Sequence, residues 1–455
     1  MVIKNTSSLK ENLKLAWPIS LQSILVTMLG MTDIMMVAHL GDGAVASVGI
    51  ANRIQFVVLI ILSGLATGVG ILSAQYYGAG KIARIRQVIL MTIIIAFIAL
   101  IPIVLLNYFF AGDIINLASN DTEVINTGES YLWITMPSLL FVSLILIFEN
   151  ALRGAGQVKF PMLLSIIAIL INIGLNYWLI NGGFGISAMG VLGAAWATVI
   201  ARLIHAFLLV VSLAKIKHIV FPFQLNFSLL NKRTEWINLL ALVWPMMISF
   251  GVWSLGTFVY QLIYGQLGTQ ELAVMSLLAP VEGLLISFFF GFASACSILV
   301  GQRLGRDEFD YAWTIAKNYA ISAPIVTFFL ALLMIQFEAF VFKPYASLSS
   351  DTLAIAHDIY ILIAFGTCLK VFNMTLSMGI LRAGGDNKYC MLIDITGMWI
   401  LGIPLTFLAA FYFSLPIFWV VFVAYSEEIC KAFMFVSRMK SKFWLRNLTT
   451  EMKSA

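Results

Sequence analysis

Apolar runs long enough to cross a lipid bilayer return twelve times along the chain, at roughly 15–38, 46–76, 88–110, 128–151, 160–180, 188–214, 237–265, 272–301, 313–336, 356–380, 389–412 and 415–437. A helix of about twenty residues rises about 30 Å, the thickness of the hydrocarbon core. Inside lipid only helices and closed barrels satisfy their own backbone groups, and the short alternating segments of a barrel do not occur here. The chain is therefore expected to be an all-α polytopic membrane protein with twelve transmembrane helices. Composition excludes a water-soluble globule, because 61% of the 455 residues are hydrophobic and 11% are charged, against about 25% charged in soluble domains. The net charge of +5 sits in short loops, where it sets orientation rather than attracting nucleic acid. Cys296, Cys368, Cys390 and Cys430 lie in or beside apolar runs without metal-ligand spacing and read as packing residues.

Basic residues occupy alternate loops, as an unbroken count of spans requires. Lys4, Lys10 and Lys14 precede the first run. Lys81, Arg84 and Arg86 follow, then Arg153 and Lys159, Lys215, Lys217, Lys232 and Arg233, Arg303 and Arg306, Arg382 and Lys388, and a tail with Arg438, Lys440, Lys442 and Arg446. The opposite loops carry Asp113, Asp121 and Glu123, and almost no base apart from Lys343. Both termini are thus expected in the cytoplasm, the chain being multi-pass in the cell's inner (plasma) membrane. The first run is too long for the apolar core of a signal peptide and reads as a retained helix.

Slid along itself, the sequence repeats. Trp17-Pro18 falls on Trp244-Pro245 (244 − 17 = 227), and the same register pairs Leu40-Gly41 with Leu267-Gly268, Gly64 with Gly291, Gln75 with Gln302 and Gly78 with Gly305. Leu152-Arg153 answers Leu381-Arg382 (381 − 152 = 229), after a two-residue insertion. Six helices per copy is an even number, so the copies enter the membrane from the same side as parallel repeats, an arrangement that recurs in transporters working by alternating access. The expected organisation is an N-lobe over residues 1–214 with helices 1–6, a cytoplasmic linker over 215–236, and a C-lobe over 237–455 with helices 7–12 and a basic tail.

Charges inside such spans mark pathways or partners. Asp33 lies about 18 residues, or about 27 Å, from the cytoplasmic end of helix 1, in the outer half of the membrane. Its repeat counterpart is Tyr260 (33 + 227 = 260), so the acid is no part of the architecture shared by both copies. Asn172 and Asn176 share one face of helix 5 and, with Thr198 of helix 6, are its natural companions. Their amides can ligate sodium, donate to a carboxylate, or tie helices together. Glu282 and Lys370 lie near mid-membrane with opposite signs and are expected to pair inside the C-lobe. Glu149 and Asp394 read as interfacial, and Arg53 and Arg202 as snorkelling or packing residues, either of which could instead line the cavity. Met31, Met35, Met36 and Phe288–Phe290 suit a polyspecific apolar cavity or plain lipid-facing packing. Pro18 should bend or loosen helix 1.

These features together resemble the multidrug and toxic compound extrusion (MATE) transporters, and the bacterial NorM-like branch most closely. The resemblance rests on Trp-Pro (17–18), Thr-Asp-Ile-Met-Met-Val-Ala (32–38), Ala-Gln-Tyr-Tyr-Gly-Ala-Gly (74–80), Leu-Arg-Gly-Ala-Gly (152–156), Asn172 with Asn176, Gly-Ala-Ala-Trp-Ala-Thr (193–198), Gly-Gln-Arg-Leu-Gly (301–305) and Leu-Arg-Ala-Gly-Gly-Asp-Asn-Lys (381–388). It implies a V-shaped, two-lobed secondary transporter that exports organic cationic or amphiphilic drugs by antiport with H+ or Na+. Asp33 takes the coupling role of the family's first-helix acid, Asn172 and Asn176 join it at a sodium site if sodium is the ion, and Pro18 belongs to a gating helix. Asn176 stands where other branches have a second acid. Trp253 and Val371 replace the helix-7 and helix-10 carboxylates of some relatives, which places coupling in the N-lobe.

The rival reading is a flippase for lipid-linked oligosaccharides or lipids, which would want a basic cavity where this N-lobe has Asp33. An integral-membrane enzyme is remoter still, because His39, His205, His218 and His357 are scattered and no metal or phosphate motif occurs. No enzymatic activity and no cofactor besides the coupling ion are expected. The expected partners are small-molecule drugs and the lipid bilayer, with no nucleic acid, for a monomeric protein.

Overall fold

The computed structural model describes residues 5–183, 185–222, 232–343 and 349–451. Lys4 and residues 223–231 of the expected linker lie outside them. Twelve long helices follow one another: α1 (Asn5–Val37), α2 (Asp42–Gly78), α3 (Ile82–Asn116), α4 (Thr122–Gly154, with a 3-10 turn at Met136–Ser138), α5 (Lys159–Asn181), α6 (Val191–Lys215), α7 (Arg233–Leu267), α8 (Thr269–Gly305), α9 (Phe309–Gln336), α10 (Thr352–Gly384), α11 (Asn387–Tyr412) and α12 (Ile417–Ala424 continued by Ser426–Lys440). Among the described residues the first eleven have the length and apolar character of membrane spans. In α12 the run is interrupted by Glu427, Glu428 and Lys431, all buried. The fold is all-α, with two six-helix repeats.

Repeated sequence motifs turn out to be repeated helix ends. In Leu152–Gly156 the Gly156 amide bonds the Arg153 carbonyl (2.8 Å) and the Gln157 amide the Leu152 carbonyl (2.8 Å); in the second copy Gly385 bonds Arg382 (2.9 Å) and Asp386 bonds Leu381 (3.1 Å). Both glycines are left-handed, at φ +79° and +83°, so each motif is a helix stop that a residue with a Cβ would strain. Asp307 takes the same backbone form, at φ +61°, opposite Gly80 (307 − 80 = 227).

Two compact units divide the chain, and their boundaries cut through helices. One unit is Leu21–Met247; the other joins the residues up to Ser20 to Ile248–Glu451. The cuts in α1 and α7 keep the register of the repeat (248 − 21 = 227), each just beyond a proline, Pro18 or Pro245. A division at the linker would leave the first half of α1 with the N-terminal unit; the contacts assign it to the C-terminal one. Small residues at equivalent places permit this. In the N-terminal unit a Cβ on Gly64 would come within 3.0 Å of the Met246 backbone, and in the C-terminal unit one on Gly291 (291 − 64 = 227) would lie 2.6 Å from the Ala16 carbonyl oxygen. Ser20 completes the second contact by donating its hydroxyl to the Phe288 carbonyl at 2.5 Å.

Two large apolar clusters lie in the C-terminal unit. One gathers Tyr260, Leu278, Ile359, Tyr360 and Val420; the other gathers Cys296, Leu304, Tyr319, Ile380, Phe435 and Trp444. Trp444 reaches the second cluster from the tail beyond α12, where Asn447 donates to Asp307 (2.7 Å). Segments Thr375–Leu381, Thr396–Gly402 and Leu408–Tyr412 are π-helical, a widening that in α-helices often accompanies functional side chains.

Candidate functional site

In the N-terminal unit, pairs of residues one helical turn apart converge from several helices. On α5, Asn176 is fully buried and Asn172 nearly so. The Asn176 amide nitrogen donates to Asp33 Oδ1 of α1 at 2.7 Å and to Asn172 Oδ1 at 3.0 Å, which leaves Asn176 Oδ1 buried without a partner. The α6 pair is Thr198 and Arg202. Thr198 is 8% exposed, and Arg202 lies within electrostatic reach of both Asp33 and Tyr131 of α4. The Arg202 guanidinium is anchored away from the acid by Ser138 Oγ (2.7 Å) and Gln55 Oε1 (3.2 Å), and Gln55 in turn donates to Thr135 (2.6 Å). Asp33 is thus half-buried with an amide donor in contact and a fixed cation in reach. Burial and these neighbours act on its ionisation in opposite senses.

Sequence reasoning put Asn172 and Asn176 on one helix face and named Asp33 and Thr198 as their companions; of these, Asp33 is in contact with Asn176. That reasoning missed Tyr131 and Gln55, which carry no signal in an apolar run, and left Arg202 between a snorkelling or packing residue and one that lines the cavity. Glu149 needs correction. It is 4% exposed, not interfacial, and its Oε1 accepts from Gln22 (2.9 Å) and Ser165 (2.9 Å) while Arg153 and His205 each stand at 3.6 Å. The Arg153 guanidinium also donates to Gln22 (2.7 Å), so α1 is tied to α4 just past Pro18. The helix itself runs unbroken through that proline.

In the C-terminal unit the Lys370 ammonium of α10 donates to Glu282 Oε1 of α8 and stands over the Tyr425 ring at 4.9 Å. Asp394, partly exposed, accepts from Arg382 (2.9 Å), itself 3% exposed, and from the Ser249 hydroxyl. Phe289 is a core residue packed on Ala323 and Val371, whereas Phe288 and Met35 are exposed. Beyond these, Glu427, Glu428 and Lys431 form a buried cluster that sequence reasoning passed over. Its signal was present as Glu-Glu-x-x-Lys in an apolar run, at the spacing that puts all three on one helix face.

Removing one member of the Glu282–Lys370 pair leaves a partly buried charge alone, whereas removing both leaves none. Glu282→Gln and Lys370→Met should each lower stability by about 2 kcal/mol, less than for a fully buried pair because water reaches both side chains. The double variant should lose less than the sum, as read from melting temperatures in detergent. Additive losses would show that the two charges do not support each other.

A duplicated helical bundle with ionisable side chains held inside its spans is the architecture of a membrane transporter. The MatE family pattern matches residues 18–178 and 245–408, its two starts in the register of the repeat (245 − 18 = 227), and the chain belongs to that family of multidrug and toxic compound extrusion transporters. The uncharacterized transporter YisQ of Bacillus subtilis is 24% identical over 95% of this chain and 94% of its own length. The probable multidrug resistance protein NorM of Thermotoga maritima is 25% identical over 91% of this chain and 89% of its own. Among solved structures, a variant of the Vibrio cholerae MATE transporter VcmN superposes with a TM-score of 0.86 at 18% identity, covering 97% of this chain and 99% of that one. An outward-facing multidrug resistance MATE transporter gives the same score over 98% of this chain and 97% of its own. The twelve-helix fold is theirs too, and this protein is a multi-pass membrane transporter of the multidrug type.

Proposed function

We propose that the protein exports organic cationic or amphiphilic compounds across the plasma membrane by antiport with H+ or Na+, and that Asp33 is the carboxylate through which ion and drug are coupled. The observation that carries this reading is the Asp33–Asn176–Asn172 chain, with the orphaned Asn176 oxygen beside it. A carboxylate inside a span is stable only with a partner. An amide in contact serves both of its states, donating to the charged form and, turned end for end, accepting from the protonated one. If sodium is the ion, Asp33, Asn172 and Asn176 supply oxygen ligands. Thr198 and Tyr131 orient the same face. Drug binding that needs the ionised carboxylate competes with the ion there, and competition at one group is the simplest form of antiport. Alternating access with Pro18 in the gating helix, cytoplasmic termini, and a monomer without a cofactor complete the proposal.

Efflux from proteoliposomes under separately imposed proton and sodium gradients tests it. Drug should move against its gradient under one of the two and stop when an ionophore dissipates that one. Transport that runs equally with neither gradient would overturn antiport.

A further inference from the structure

Glu427, Glu428 and Lys431 of α12 take no part in the coupling described above. They lie about 15 to 21 Å into that helix from its outer end and are 5%, 8% and 5% exposed. One ammonium serves two carboxylates here, since Lys431 Nζ stands 2.8 Å from Glu427 Oε1 and 3.5 Å from Glu428 Oε1. Each acid's other oxygen has a neutral donor, the Tyr260 hydroxyl on Glu427 (2.5 Å) and the Asn373 amide on Glu428 (2.7 Å). Surrounding charges do not redress the balance. Lys370 of α10 faces Glu428 but is held by Glu282, and Asp394 of α11 faces Lys431 but is held by Arg382. Tyr264 and Tyr425 contribute neutral phenols. Four carboxylates therefore meet three cations, a surplus negative charge inside the membrane spans.

Two further features point to what neutralises it. Lys431 Nζ stands within 3.5 Å of an oxygen of each acid, so the two carboxyl groups are near neighbours, and two like charges at such range favour a proton on one of them. Asn373 Oδ1, in a side chain 4% exposed, is a buried acceptor with no donor, on the amide that already touches Glu428. The place is also built to size. A Cβ on Gly397 would run into the Lys431 side chain, and one on Gly402 would overlap the Tyr260 hydroxyl and Glu427, both glycines lying in the π-helical stretch of α11.

We propose that the Glu427–Glu428 pair of α12 is a proton-binding site of the C-terminal unit, its two carboxyl groups sharing one proton that is taken up and released independently of Asp33. Uptake converts one carboxylate and one H+ from water into a carboxyl group, and release reverses it, with no other bond changed. A proton fits where a larger cation does not, because the carboxylate oxygens already accept from Lys431, Tyr260 and Asn373, which a metal ion would have to displace.

The test uses full-length protein carrying Asp33→Asn, so that its outcome is separate from the fate of the coupling proposal. Infrared difference spectra between acid and alkaline pH should show a protonated-carboxyl band that titrates in this background. Glu427→Gln and Glu428→Gln should each abolish it and lower proton uptake, counted with an indicator dye, by about one proton per molecule. Tyr260→Phe, which keeps the ring and its packing, should shift the band's frequency by removing the donor on Glu427. That readout stands even if a glutamine variant fails to fold. A band and an uptake that survive both glutamine substitutions, or a band indifferent to Tyr260→Phe, overturn the proposal.

Discussion

Protein carrying Asp33→Asn is expected to insert, fold and bind drug, yet to lose ion-driven efflux down to the passive leak. The substitution keeps the shape and an oxygen that accepts from the Asn176 amide at its present 2.7 Å, so the α1–α5 contact survives. What disappears is the ionisable charge, and an antiporter without a group that exchanges ion for drug has no means to couple the two flows. Stability should be unchanged or slightly higher, because a carboxylate is no longer held inside a span. Drug accumulation in cells, transport in proteoliposomes and melting temperature in detergent check the three parts. Efflux at the wild-type rate against a gradient would remove Asp33 from the mechanism. A lowered melting temperature with lost transport would make it a structural residue.

Equally large in stability terms is the effect expected of Gly291→Val. Any side chain there meets the Ala16 and Ser20 backbone of α1, which cannot move aside as a flexible side-chain tip can, so the helices must separate. A loss of about 3 kcal/mol or more follows from overpacking of that kind. Gly283→Val supplies the control, since it lies on the same helix with nothing near the position of its missing Cβ, and there the better helix propensity of valine should leave stability level or raise it slightly. Gly64→Val, the equivalent in the first copy, should resemble Gly291→Val through its contact with Met246. Equal melting temperatures for the Gly291 and Gly283 variants would show that α1 does not depend on the close approach.

Much of the molecule was legible in the sequence because the bilayer imposes a simple rule. Backbone groups in lipid must be satisfied within a helix, so span length and apolar run length coincide, and the helices lie where the runs are. Duplication was equally plain. A single displacement governs Trp-Pro, the paired glycines and the unit boundaries, since a repeated fold needs the same small residues at the same close approaches. The twelfth helix was legible as a span, but its charges passed unnoticed in an apolar run.

Partnership was not legible. Sequence spacing places Asn172 above Asn176 on one helix face, and it suggests Asp33 as their companion, but the convergence of Tyr131, Arg202 and Gln55 on the same region comes from three further helices whose rotations about their own axes no local pattern specifies. Glu149 illustrates the point from the other side. One turn from Arg153 near a helix end, it has the spacing of an interfacial acid, and only the packing of α1, α5 and α6 against α4 encloses it with Gln22, Ser165 and His205. By itself the sequence determined the number and two-fold repetition of the helices, because lipid acts on each span separately. Tertiary structure alone decided which charges lie beside which, because a buried charge is stabilised by neighbours brought from elsewhere in the chain, and those depend on how every helix is turned.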